Sequence, residues 1–402
     1  MLAGKSASVR GDVFIVSGVR TAIGAFGGTL KDKSPTALGA AVVKEAIRRA
    51  GLEPADVDHS VFGTVIPTEA ADLFLGRTVA IEAGMPIASQ GLTVNRLCGS
   101  GVQAIVSAAQ MIKLGDSNVA VAGGAESMSR APHSIPGMRY GNRMGDGIVY
   151  DWLTNTLADP FGHGAMGCTA ENVAELYQIS RERQDQFALT SQRRAVQAVE
   201  AGRFKDQIVP VEVETRKGKV IFEVDEHPRR ETNLRDLASL RPVFRKDGTV
   251  TAGNASGIND GSAAVVLASE AEVTHRALSP IGRLVSWSIA GVPPELMGIG
   301  PVKAVPLALE RAGLELADVD VIESNEAFAA QALAVMDGLG LSPEKVNPNG
   351  GAIALGHPLG ATGAILTVKA LYELRRSKGR YGLVTMCIGG GQGIALVVES
   401  FH

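Results

Sequence analysis

A ten-residue phrase occurs twice in this chain and constrains the fold more than any other feature. Arg49-Ala50-Gly51-Leu52-Glu53-Pro54-Ala55-Asp56-Val57-Asp58 returns as Arg311-Ala312-Gly313-Leu314-Glu315-Leu316-Ala317-Asp318-Val319-Asp320, with only Pro54 and Leu316 differing. Alone, the phrase is what a helix end followed by a glycine stop looks like. The same offset, however, sets Cys98-Gly99-Ser100-Gly101 against Gly360-Ala361-Thr362-Gly363, so that Gly101 falls on Gly363. Two motifs held at one spacing point to two related halves. Downstream, Val119–Gly124 resembles Leu383–Gly390, each a short buried strand closing in glycines.

Each half alternates strands with helices. Val13–Ser17 and Ser60–Thr64 read as strands, Thr36–Ala50 as a helix stopped by Gly51, and Gly101–Leu114 as a helix stopped by Gly115. Such alternation predicts mostly parallel sheets with helices on both faces. Written twice, it predicts an α/β protein of two packed halves. The region between them carries more charge, Met and Pro. Its clearest helix runs from about Arg181 to Ala201, framed by Ser180, Arg183 and Gly202. The chain therefore divides into an N-terminal half, 1–126, completed by about 251–280; an inserted loop domain, 127–250; and a C-terminal half, 281–402. Met1–Asp12 reads as a short disordered lead-in and not a secretory signal.

Bulk properties remove several function classes. A net charge of −3 over 402 residues argues against a general nucleic-acid binder. No uncharged apolar run reaches the roughly 18 to 20 residues needed to span a bilayer. The three cysteines, Cys98, Cys168 and Cys387, form an odd, sparse set that fits a reducing, cytoplasmic setting. The 48 glycines allow close backbone approach at many corners.

Cys98 follows the strand-like Leu92-Thr93-Val94 and precedes Gly-Ser-Gly and a helix. A thiol at a helix N-terminus meets the positive end of the dipole and unpaired N–H groups, which predicts an acidified, nucleophilic sulfur. The competing reading of each cysteine is a small buried hydrophobe. Gly99-x-Gly101-x-x-Ala104 also fits a loose dinucleotide fingerprint, but the next strand ends in Gly123-Gly124 where a ribose-binding acid belongs. His357 lies in Gly356-His357-Pro358 just before a helix, in the loop that the repeat sets opposite Cys98. If the halves pack about a pseudo-twofold axis, those two loops converge.

Asn95-Arg96-Leu97-Cys98-Gly99-Ser100-Gly101, Asn325-Glu326-Ala327-Phe328, Gly356-His357-Pro358 and Cys387-Ile388-Gly389-Gly390-Gly391 together resemble the signature motifs of thiolases. The similarity runs from about Val13 to the C-terminus. The resemblance implies a layered αβαβα core of two pseudo-twofold-related halves. It implies an acyltransferase that joins two acetyl-CoA, or an acyl-CoA and acetyl-CoA, in a reversible Claisen condensation. Cys98 would carry the acyl group, His357 would take its proton, and Cys387 would remove the α-proton of acetyl-CoA. His357 and a water held by Asn325 would form one oxyanion hole; the N–H groups of Cys98 and Gly389 would form the other.

By the same resemblance, CoA contact falls on Arg229, Ser256, Phe244 and Met297, the acyl pocket on Met166, and further substrate contact on Ala327 and Phe328. The stretch Arg229–Lys246 is rich in basic residues, which by default is a solvated face. The resemblance further implies no metal or other cofactor, acetyl-CoA and acyl-CoA as partners, no nucleic acid or membrane, and a homodimer or homotetramer. One departure stands out. Many relatives have His-Met-Gly where this chain has Ala165-Met166-Gly167; His163 comes two places too early, and Cys168 reads as structural. Alternatives are a degradative 3-ketoacyl-CoA thiolase of longer chains and a non-catalytic acyl-CoA carrier. A decarboxylating ketoacyl synthase fits less well, because those enzymes resemble Cys-His-His arrangements.

Overall fold

The computed structural model describes residues 11–216 and 218–401, so that Met1–Arg10, most of the expected lead-in, lies outside the described residues. The repeated phrase folds the same way twice. Gly51 and Gly313 stop their helices with φ of 70° and 66°, a left-handed conformation that glycine adopts without steric cost. The carboxylates of Asp56 and Asp318 then each accept the N–H three residues back, Glu53 and Glu315, at 2.8 Å. Both short turns deliver the chain into a strand.

The N-terminal half contains β1 (Val13–Thr21), α1 (Pro35–Arg49), β2 (His59–Gly63), α2 (Leu75–Glu82), β3 (Gln90–Val94), α3 (Ser100–Leu114) and β4 (Val119–Ser127). After a long excursion with α4 (Met166–Leu176) and α5 (Arg181–Glu200), the chain returns as β5 (Asn259–Ser269) between β1 and β4. The second half repeats the plan with β6 (Gly282–Gly291), α6 (Gly300–Ala312), β7 (Val319–Ser324), α7 (Ala329–Leu339), α8 (Leu359–Ser377), β8 (Tyr381–Ile388) and β9 (Gln392–Ser400).

Strand order is β7-β8-β9-β6-β1-β5-β4-β2-β3. The two halves join edge to edge at β1 and β6, where Val13, Phe14 and Ile15 pair with Leu284, Arg283 and Gly282. The sheet is not mostly parallel. Along this order β7–β8 in one half and β4–β2–β3 in the other run parallel, and the central pairs are antiparallel; off it, Ile208–Val209 lies parallel to the end of β1. The reason is connectivity. β8 turns straight into β9 through a hairpin, and the excursion brings β5 back against the direction of β4, whereas a parallel neighbour needs a crossover helix.

The repeat is also expressed in strand register. His59 pairs with Ala120, and Val321 with Gly382, which keeps the sequence offset unchanged. The counterpart of Val119 is therefore Tyr381, so matching Val119–Gly124 to Leu383–Gly390 sets the strand starts two residues and the glycine pairs four residues out of step. The glycines after Cys387 serve the β8–β9 hairpin instead, where Gly390 and Gly391 have φ of 82° and 87°.

α3 and α8 lie back to back against strands of both halves, and α8 is buried along nearly its whole length until Arg375 and Arg376. Gly101 and Gly363 make the close approach possible. A Cβ on Gly101 would lie 2.6 Å from the Ala364 nitrogen, and one on Gly363 would lie 2.3 Å from the Val102 nitrogen. The contact is reciprocal between equivalent positions, as a pseudo-twofold axis requires. It sets the starts of the two helices, and the loops before them, on one side of the molecule.

Candidate active site

Cys98 sits on a tight turn between β3 and α3. Leu97 before it has φ of 46°, uncommon for a bulky side chain. The turn is held from within. Asn95 Oδ1 accepts the Leu97 N–H at 2.9 Å, and the Ser100 hydroxyl accepts the Arg96 N–H at 2.8 Å while donating to the Leu97 carbonyl at 2.6 Å. Arg96 Nη1 donates to Gln392 Oε1 at 2.9 Å, tying the turn to the β8–β9 hairpin of the other half.

That hairpin starts at Cys387, which is buried at the end of β8. The backbone N–H groups of Gly389 and of Cys98 itself face the Cys98 sulfur. His357 precedes α8, and its backbone N–H donates to Asn259 Oδ1 at 2.9 Å. Asn325 follows β7; its N–H donates to the Thr385 carbonyl at 3.0 Å, and its Nδ2 stands 3.4 Å from His357 Nε2.

These loops close on one small cavity of about 60 Å³, lined by Cys98, His357, Cys387 and Gly389 together with Met166, Met297, Ala327, Phe328 and Ser256. Leu97, Thr156, Leu157 and Leu359 complete its apolar wall and were not foreseen from sequence. Asn325 stands behind His357. Phe244 does not line the cavity; its ring meets Phe328 edge-on at 6.2 Å between centroids. Arg229 lies in an adjoining groove of about 870 Å³, which shares Ser256 with the small cavity. The half-buried Cys168 thiol faces the Phe244 carbonyl at 4.0 Å, and His163 approaches Glu295 at 3.7 Å; neither lines the cavity.

The comparisons identify this arrangement. Residues 13–271 match the thiolase N-terminal domain and residues 278–400 the thiolase C-terminal domain. The chain belongs to the thiolase family. It is 61% identical to beta-ketothiolase BktB of Cupriavidus necator over 96% of this chain and 99% of that one. Among solved structures, the Bacillus anthracis acetyl-CoA acetyltransferase superposes with a TM-score of 0.96 at 47% identity, covering 98% of this chain and 100% of that one. The human mitochondrial 3-ketoacyl-CoA thiolase in complex with CoA gives 0.95 at 45%, covering 98% and 99%. This thiolase is therefore an acyltransferase by family.

The electrostatics of the thiolase cavity correct one expectation. Cys98 is not acidified by the start of α3. Loss of water around the sulfur pushes its thiol up to about 11, outweighing the N–H groups of Gly389 and Cys98 that favour thiolate. Burial pushes the Cys387 thiol up further, with the nearby Cys98 adding to it. Burial lowers His357 to about 4, so its imidazole is neutral at physiological pH. A neutral base beside a neutral thiol suits transfer of a proton during attack rather than a resting ion pair. Among the described residues, no cluster of His, Cys, Asp or Glu is arranged to hold a metal ion, and no helix is long and apolar enough to cross a membrane.

Proposed function

We propose that this thiolase condenses two acetyl-CoA, or an acyl-CoA with acetyl-CoA, to 3-ketoacyl-CoA and CoA through an acyl group on Cys98. The convergence of Cys98, His357 and Cys387 on one apolar cavity carries this reading. The names of its relatives, a beta-ketothiolase and acetyl-CoA acetyltransferases, point the same way.

In the first half-reaction the Cys98 sulfur attacks the thioester carbonyl while His357 Nε2 takes its proton. The C–S bond to CoA then breaks, and Cys387 gives its thiol proton to the departing CoA sulfur while His357 keeps the proton from Cys98 on Nε2. The N–H groups of Cys98 and Gly389 stabilise the oxyanion; losing one such donor typically costs on the order of 100- to 1,000-fold in rate. Cys387, now a thiolate, next takes the α-proton of acetyl-CoA, and the Nε2–H of His357 with Asn325 stabilises the enolate oxygen. The α-carbon attacks the acyl carbon, its bond to Cys98 breaks, and His357 returns its proton to the freed Cys98 sulfur. Run backwards, the same residues cleave 3-ketoacyl-CoA. The thioester supplies the activation, so the chemistry calls for no resident cofactor.

We place CoA in the Arg229 groove, with its phosphate groups towards Arg229 and its pantetheine arm passing Ser256 into the cavity. The human relative solved in complex with CoA supports a CoA site in this fold. We take Phe244, which backs Phe328, as an indirect contact. The exposed Met138, Tyr140 and Met144, beyond the paired strands His133–Ser134 and Tyr150–Asp151, support assembly into a dimer or tetramer. We read the protein as cytoplasmic, and residues 1–126 with 251–280, 127–250 and 281–402 as its three parts.

Mass spectrometry after mixing with acetyl-CoA tests the division of roles. Cys98→Ser should neither carry the acetyl group nor turn over. Cys387→Ala should accumulate the label on Cys98 and condense poorly. Turnover by the first variant, or an unlabelled second one, would refute the assignment.

A further inference from the structure

Glu126, on β4, is fully buried and takes no part in the chemistry above. Its Oε1 accepts from the Thr64 hydroxyl at 3.3 Å and the Ile66 N–H at 3.0 Å. Its Oε2 accepts from the Val65 N–H at 3.0 Å and the Gly360 N–H at 2.7 Å. Thr64–Ile66 is the loop after β2 in the first half. Gly360 opens α8 of the second half, three residues after His357, and its N–H is among those a helix start leaves unpaired. One side chain thus spans the seam between the halves. It does so behind the nucleophile, because Val65, Ile66 and Leu359 form one apolar cluster with Leu97 and Cys98.

The repeat shows that the fold does not need a charge here. Under the shared offset the counterpart of Glu126 is Ile388, which packs against Gly99 beside Cys98. An aliphatic side chain therefore serves this position in the other half. Burying a carboxylate instead is costly even when it is hydrogen-bonded. The elements packed on it bring no compensating cation: the Thr64–Ile66 loop is uncharged, the start of α8 contributes His357, β5 contributes Asp260, and the turn before α3 contributes the Cys98 thiol, its Arg96 being engaged by Gln103 and Gln392.

We propose that Glu126 is a positioning residue for the condensation: its carboxylate holds the His357–Gly360 turn against the Thr64–Ile66 loop so that His357 stands at Cys98, and it sets a negative charge behind that sulfur. The proposal rests on the acyl-Cys98 reading above. Burial pushes Glu126 up to about 7, and its charge is among the causes that raise Cys98.

The test is alkylation of Cys98 by iodoacetamide across pH, followed by mass spectrometry, alongside kcat and KM. In Glu126→Gln the alkylation midpoint should fall by roughly half to one pH unit, because a like charge is removed. Its kcat should fall on the order of 10- to 100-fold with KM little changed, the cost of a misplaced base. Glu126→Asp keeps the charge but shortens the reach, so its midpoint should stay near wild type while kcat falls. A wild-type midpoint or a wild-type kcat in Glu126→Gln overturns the proposal. If that variant does not fold, wild-type kcat in Glu126→Asp overturns it. Acetyl labelling reports the parent reading separately: an unlabelled Cys98 sinks the acyl-enzyme, while a shifted alkylation midpoint still supports Glu126 as a charge behind the thiol.

Discussion

His357 Nδ1 lies 2.6 Å from the hydroxyl of Thr362, and that hydroxyl donates to the Pro358 carbonyl at 2.9 Å. A hydroxyl has one proton to give. Spent on Pro358, it leaves the Thr362 oxygen an acceptor, so neutral His357 carries its proton on Nδ1. Nε2 is then free as a base, facing the Asn325 amide nitrogen at 3.4 Å. Thr362→Val removes the acceptor and should slow acylation of Cys98 on the order of 10-fold or more, in line with lost support of a base. Thr362→Ser should restore most of the rate. Nitrogen NMR of the ring should find the proton on Nδ1 in the wild type; an Nε2–H ring would contradict the assignment.

The neutral thiol–imidazole pair has a pH signature. With Cys98 near 11, its alkylation midpoint should lie above the ordinary thiol value of 9. A midpoint below 8 would mean a thiolate–imidazolium pair instead. His357 also affects stability, with a definite sign. It is lowered to about 4 from an ordinary 6.5, so between those values the unfolded chain binds the proton and the folded one does not. Its contribution is fully present above pH 6.5 and is lost as pH falls towards 4. In urea denaturation, wild type should therefore lose stability relative to His357→Asn over that window. Parallel curves would show that His357 is protonated in the folded protein.

What the sequence revealed, and what it hid, follows from how each interaction is made. The repeat was legible because Gly51 and Gly313, and Gly101 and Gly363, are demanded by backbone conformation or close approach, which leave the same residue at the same spacing. The strand before Cys387 was set out of step because its glycines belong to a hairpin with no counterpart after β4. Cys98 was legible as a candidate from its place before a helix, and it does line the cavity, but its acidity was not legible. Helix position is a local property, whereas desolvation depends on Val65, Ile66 and Leu359, which come from elsewhere in the chain. Asn259 and Glu126 left no motif, because each acts on backbone groups far away in sequence, and Thr362, though only five residues from the ring it holds, shows its role only once its hydroxyl is seen against Nδ1.

The glycine pair at the axis makes a sharp stability prediction. In Gly363→Ala the new methyl would lie 2.3 Å from the Val102 nitrogen and 3.0 Å from the Gly101 carbonyl carbon, backbone atoms that cannot swing aside. Separating α3 from α8 should cost about 1–3 kcal/mol, the usual range for overpacking, or more. Gly338→Ala on α7 is the control. Its methyl would meet the Val302 side chain at 3.2 Å, and alanine is favoured over glycine within a helix by up to about 1 kcal/mol. Thermal denaturation should rank Gly363→Ala well below wild type and Gly338→Ala near or above it. The reverse order would mean that the helix crossing is not the tight contact it appears from the geometry.

Gly389 separates folding from substrate choice. It does not have the left-handed φ of Gly390 and Gly391, so alanine fits its backbone without strain. The added methyl would approach the Met166 terminal carbon at 3.0 Å and a Leu97 methyl at 3.3 Å, both ends of flexible side chains that line the cavity. The Gly389 N–H that faces Cys98 is retained by alanine. Gly389→Ala should therefore melt like wild type and still transfer acetyl groups. Met166 and Leu97, pushed inward, should shrink a cavity of only about 60 Å³ and reject longer chains. One methylene in an apolar pocket is worth about 10- to 200-fold in discrimination. Thiolysis of 3-ketoacyl-CoAs from four to sixteen carbons, run on both proteins, should show the variant's kcat/KM falling with length by at least ten-fold relative to wild type. A profile that drops equally at every length would assign Gly389 to the oxyanion alone and remove Met166 from the acyl pocket.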